Sequence, residues 1–146
     1  MIDGVRLRPL PTFSDTRGSV LRLLRLGDME FNGIREIYFS TISALQVKPW
    51  RRHRTATCNL AVPIGVVNLY LFDDRDSSPT VGTTWSTTLG LGHYHLLTIP
   101  PMIWFALQNP LDSVTLIANC SSEIHSPTSS DRRELDDKAM PQLEAG

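Results

Sequence analysis

The sequence predicts an all-β domain built as a sandwich or jelly-roll barrel. Two observations carry this expectation. Eight β-rich segments follow one another at short, fairly regular spacing, and no amphipathic helical period occurs before about residue 130. In order, the segments are 19–26, 34–42, 59–62, 66–72, 83–89, 95–99, 103–108 and 114–119. Each is rich in β-branched, aromatic or aliphatic residues, and Ile34-Arg35-Glu36-Ile37-Tyr38-Phe39-Ser40 alternates, imperfectly, between apolar and polar. A further strand is expected to end at His53, after the run Trp50-Arg51-Arg52. The intervals hold turn chemistry: Ser14 to Gly18, Pro63-Ile64-Gly65, Asp73 to Pro79, Gly90-Leu91-Gly92 and Asn109-Pro110-Leu111-Asp112. These divide the chain into a jelly-roll domain over residues 1–124 and a tail over 125–146, where Ser, Pro, Asp, Glu and Arg take over. The tail is expected to be irregular, with one short helix over 132–139.

Composition narrows the function classes. At 146 residues the chain suits one domain with one core. Lys and Arg total 14 against 15 Asp and Glu, a balance that argues against a nucleic-acid partner. No apolar run approaches the ~20 residues of a membrane helix, so no membrane partner is expected. The start, MIDGVRLRPLPTF, lacks the apolar core of a secretory leader, and a cytoplasmic location is expected. Cys58 and Cys120 sit far from any CxxC spacing, which excludes a disulfide framework or a cysteine zinc site. His93-Tyr94-His95 has the spacing of two metal ligands, but no glutamate follows where a third would be needed, so neither a metal nor another cofactor is expected.

Several runs carry a resemblance. They are Asp15-Thr16-Arg17-Gly18, residues 35–42, Val47-Lys48-Pro49-Trp50-Arg51-Arg52-His53, the stretch from Leu71 to Gly82 with Ser78-Pro79-Thr80, and Ile99-Pro100-Pro101-Met102-Ile103-Trp104. In order and spacing they resemble the dTDP-4-dehydrorhamnose 3,5-epimerase family of cupins, in its short branch with a K-x-W-x-x-H motif. The resemblance covers roughly residues 10–127. It implies a jelly-roll barrel that forms homodimers and acts on a small-molecule substrate, a nucleotide-linked 4-keto-deoxysugar. The reaction moves protons at carbons beside the ketone. A histidine serves as base, because proton transfer from carbon needs a group titrating near working pH, and the ketone oxygen carries the developing charge once donors hold it.

His53 matches the family base; taken alone it is either that or a surface histidine at a basic strand end. Lys48, Arg51, Arg52 and Arg54 crowd it, and their charge would depress its pKa. The same cations would bind a diphosphate or carboxylate, or else form a solvated face. Arg17 matches the arginine that reaches the nucleotide diphosphate, or is an exposed turn residue. Asp73, Asp74 and Arg75 read as a hydrogen-bonded structural turn. Lys48, Trp50 and Arg51, together with Met102, Trp104 and Phe105, complete the candidate substrate-binding set.

Three departures from the family pattern fall in the expected pocket. The proton-donating tyrosine is absent after the last core strand, where Ile124 or His125 takes its position; His125 is the candidate second acid, or an exposed turn histidine. Relatives carry P-P-G-x-x-H-G-F where this chain has Met102, Phe105 and Ala106. Alternation places Ile103 and Phe105 on one strand face, with Met102, Trp104 and Ala106 on the other. Cys58-Asn59-Leu60-Ala61 stands where relatives carry a charged residue and an aromatic, and Cys58 reads as a small buried hydrophobe. Asp131 is the candidate carboxylate behind the base. A more apolar pocket than a sugar nucleotide needs leaves two alternatives open: a cyclase acting on a carbonyl-bearing, polyketide-like intermediate chiefly by positioning it, or a non-catalytic binding protein.

Overall fold

The computed structural model describes residues 1–144. It contains twelve strands: β1 (Arg6–Pro9), β2 (Thr12–Asp15), β3 (Gly18–Leu21), β4 (Glu36–Ile42), β5 (Val47–His53), β6 (Cys58–Ile64), β7 (Val66–Asp73), β8 (Thr84–Gly90), β9 (His95–Ile99), β10 (Ile103–Gln108), β11 (Thr115–Ser121) and β12 (Ser130–Arg133). One five-stranded sheet runs β1-β9-β6-β11-β4 and the other runs β12-β5-β10-β7-β8, while β2 and β3 form a separate hairpin. Every pairing is antiparallel. Two sheets folded face to face in this way form the expected cupin jelly roll. No helix among the described residues is long and apolar enough to cross a membrane.

The pleat sorts side chains to two sides. In β7 burial alternates residue by residue, with Val67, Leu69, Leu71 and Asp73 turned inward. Between the sheets Val67, Leu69 and Leu71 meet Ile103, Phe105 and Leu107 of β10 and Leu60, Val62 and Ile117 of the facing sheet. Full burial of one such side chain is worth ~1.5–3 kcal/mol. The outer faces are covered as well. Leu23 and Leu24 lie over Leu10, Ala61 and Leu96. Over the second sheet, Met140, Leu135 and Leu143 lie on Trp50, Trp104 and Ala106. A strand covered on both sides is apolar at nearly every position, which is why β10 loses its alternation.

The tail departs from expectation. In place of a helix over 132–139, residues 130–133 form β12, which pairs with β5 and sets Arg132 opposite Arg51. The following segment then packs its apolar residues onto the two tryptophans, so the tail is part of the barrel wall. Its last two positions, 145–146, lie outside the described residues. The segment expected as strand over 19–26 is strand only to Leu21, in a hairpin of Thr12–Asp15 with Gly18–Leu21, and the strands Arg6–Pro9 and Thr12–Asp15 are additional to the expectation.

Candidate active site

A cavity of about 290 Å³ opens between the sheets. Leu60, Phe105, Leu107 and Ile117 form its apolar part, while Lys48, Arg51, His53 and Arg132 supply nitrogen from β5 and β12. No aspartate or glutamate lines it. A second cavity of about 200 Å³ adjoins it, sharing Tyr38 and His53 and reaching His125.

The positive lining depends on an irregularity. Between β10 and β5, Phe105 pairs with Arg51 but Leu107 pairs with Lys48, so β5 has one extra residue within Pro49–Trp50. A bulge of this kind brings positions three apart onto one face, and Pro49 suits it because proline cannot donate to the ladder. Lys48 and Arg51 therefore both face the cavity. Alternation resumes beyond the bulge, turning Trp50 and Arg52 outward and His53 inward.

His53 is buried, at 8% exposure. Its ring stacks on Phe105, centroids 5.9 Å apart, and its carbonyl accepts the Met102 amide at 2.7 Å. Burial depresses its pKa below the ordinary 6.5, with lesser contributions from Arg51 and His125. The sequence expectation of a depressed value holds, but its chief cause is desolvation. Arg52 and Arg54 take no part: they turn outward to Asp131, at 2.8 and 2.6 Å. That pairing also removes Asp131 as the carboxylate behind the base.

Lys48 and Arg51 have no acidic partner among the described residues, and burial lowers the pKa of both. Cations held without counter-charge in a half-buried cavity give it a positive potential that can attract an anion.

The remaining expected residues scatter. Met102 and Trp104 line an outer groove, where Trp104 donates to Asp74 at 2.8 Å and carries Arg52 over its ring. Only Phe105 of the Met102–Trp104–Phe105 set reaches the inner cavity together with His53. Trp50 borders that cavity but packs mainly under Met140. His125 is exposed; its amide is tied to Glu36 at 2.9 Å. Arg17 projects from the β2–β3 tip, its side chain 89% exposed and paired with Asp15. Asp73 accepts from Arg75, Ser78 and Thr80, and these bonds, Arg75 foremost, hold its carboxyl well below the usual range. The Ser78-Pro79-Thr80 run is thus a structural turn. Cys58 is buried, its thiol pushed up to about 11 by desolvation.

Sequence reasoning missed Tyr38, Asn119 and Arg132, all of which line the inner cavity. Alternation in β4 groups Glu36, Tyr38 and Ser40 on one face, but does not by itself turn that face inward.

Comparison with known proteins fits this geometry. The chain is 36% identical to a dTDP sugar isomerase from Desulfovibrio desulfuricans G20 of known structure, covering 97% of this chain and 91% of that one, with a TM-score of 0.93. The chain belongs to the dTDP-4-dehydrorhamnose 3,5-epimerase-like family. A second member, the probable low-salt glycan biosynthesis epimerase Agl13 of Haloferax volcanii, is 26% identical over 142 residues, 96% of this chain and 88% of its own. The dTDP-4-dehydrorhamnose 3,5-epimerase of Bacillus anthracis str. Ames shares the epimerase fold at a TM-score of 0.81 and 17% identity, covering 98% of this chain and 87% of that one. No protein-family model matches the chain.

Proposed function

We propose that the protein moves a proton at a carbon beside the ketone of a nucleotide-linked 4-keto-deoxysugar, with His53 as the base. The single observation that carries this reading is a buried, neutral-leaning histidine facing a cavity whose charged lining is entirely cationic. A neutral imidazole takes the α-proton, and the enolate oxygen and the diphosphate are both anions that Lys48, Arg51 and Arg132 would hold. An uncharged cyclase substrate would leave those cations without a role.

The substrate site is completed by a homodimer in this reading. Arg17 stands on a projecting hairpin, away from its own cavity, where a second copy would receive it. Phe13 and Val20 on that hairpin are 54% and 65% exposed, and Ile37 and Phe39 on the edge strand β4 are 59% and 66% exposed, apolar area that a partner copy would cover.

The test is solvent deuterium wash-in. Incubation with a dTDP-4-keto-6-deoxyhexose in D₂O is expected to label the sugar carbon beside the ketone, and His53→Ala to abolish the label. Absence of label with the unmodified protein would remove the reading.

A further inference from the structure

We infer that Tyr38 is the catalytic proton donor that faces His53, filling the role for which the chain after the last core strand offers no tyrosine. The inference deepens the keto-sugar reading above and rests on it. The two residues come from opposite walls: Tyr38 from β4 in one sheet, His53 from β5 in the other. Both line the 290 Å³ cavity and the 200 Å³ cavity beside it, so a sugar ring lying in this space has one on each side. Inversion at a carbon needs this arrangement, since the proton must leave one face and return to the other.

The hydroxyl is also positioned. Asn119 stands directly across from Tyr38 in the β11–β4 register and donates its amide N–H to the phenol oxygen at 2.7 Å. Asn119 is 5% exposed, so its end of the bond is buried. The phenol oxygen thus acts as acceptor toward Asn119, and its own proton has no acceptor among the described residues. Burial raises the Tyr38 pKa, which keeps that proton in place at neutral pH, while Asn119 and Arg51 favour the tyrosinate left after transfer.

Residues 124 and 125 border the 200 Å³ cavity but do not reach the one lined by Lys48 and Arg51. Ile124 is 70% exposed, and His125 is exposed with only its amide anchored.

The proton balance closes. His53 removes the α-proton, becoming imidazolium as the C–H pair forms the enolate. The enolate carbon then bonds the Tyr38 proton on its other face, leaving tyrosinate and regenerating the ketone. Water carries the proton from imidazolium back to tyrosinate, so no other reactant is consumed.

The experiment compares wild type, Tyr38→Phe and His125→Ala with a dTDP-4-keto-6-deoxyhexose in D₂O, reading label in recovered substrate and formation of inverted sugar separately. In Tyr38→Phe, His53 still removes and returns a proton on its own face. Substrate labelling is therefore expected within about 3-fold of wild type, with inversion down about 100-fold or more. His125→Ala is expected to keep both. Retained labelling shows the variant folded and binding substrate. Wild-type inversion by Tyr38→Phe overturns the assignment, as does loss confined to His125→Ala. Joint loss of labelling and inversion in Tyr38→Phe also overturns it, placing Tyr38 in binding or folding. If the wild type shows no His53-dependent label, the keto-sugar reading itself falls and takes this inference with it.

Discussion

Arg51 pairs with Phe105 across β5 and β10, and Lys48, three positions earlier, pairs with Leu107, only two positions further along β10. This one-residue mismatch puts two cations on the same inner face, where Arg132 of β12 adds a third. Arg51→Gln keeps the length and a hydrogen-bonding head but removes the charge. A charge-assisted hydrogen bond is worth ~1.5–3 kcal/mol. KM for a dTDP-keto sugar is therefore expected to rise about 10–100-fold, with a smaller change in kcat. Steady-state kinetics check this, and an unchanged KM would remove Arg51 from the anion site.

The outward side of the same strand makes the opposite prediction. Asp131 joins Arg52 and Arg54 on the outer face, and Arg52 also reaches Asp74 at 3.0 Å. Asp131→Asn should lower stability by about 1 kcal/mol, the scale of a partly exposed ion pair, and leave solvent-label exchange near wild type. Parallel denaturant melts and exchange assays decide it. Abolished exchange in a stable variant would restore Asp131 as the partner of His53.

Met102 has φ of +67°, a left-handed conformation that side chains with a Cβ resist. Met102→Gly and Met102→Ala both remove the side chain, so their difference isolates the backbone. The glycine variant is expected to be the more stable of the two by about 1 kcal/mol, measured by urea midpoints.

What the sequence made legible, and what it hid, follows from where the pleat is regular. The barrel could be read because turns punctuate a series of short β-rich segments. His53 could be read from its motif. Lys48 and Arg51 could be named from the same motif but not placed together, because parity counted through Pro49 puts them on opposite faces, and only the bulge reunites them. Tyr38 was hidden for another reason: in β4 the apolar Ile37 and Phe39 face outward and the tyrosine faces in, against the usual hydrophobic rule. Ser130–Arg133 carries no apolar residue to announce a strand, and forms one because β5 offers it an open edge.

Met140 is 6% exposed and lies against Trp50 and Trp104. If the tail is wall and not appendage, Met140→Ala should open a void over both tryptophans. The expected cost is about 2–4 kcal/mol, seen as a Tm lower by roughly 5–15 °C, with altered tryptophan fluorescence in the native baseline. An unchanged Tm would mean that the barrel stands without its tail.

The pH response of His53 supplies a test of sign. Its folded pKa lies below the ordinary 6.5, chiefly through burial and then through Arg51 and His125. Between the folded value and 6.5 the unfolded chain takes up a proton that the folded chain refuses. The His53 contribution to stability is therefore complete above pH 6.5 and declines as pH falls through that window. Catalysis shares the sign: the base remains neutral into mildly acidic solution, so the acidic limb of kcat/KM falls below pH 6.5. Arg51→Gln removes one of the secondary causes but leaves burial intact. It should move the limb upward while keeping it below 6.5. NMR titration of the His53 ring, run beside the pH–rate profile, should give the same displacement in both. A wild-type limb above 6.5, or a downward shift in the variant, would show that the buried ring of His53 is not the base whose protonation limits the rate.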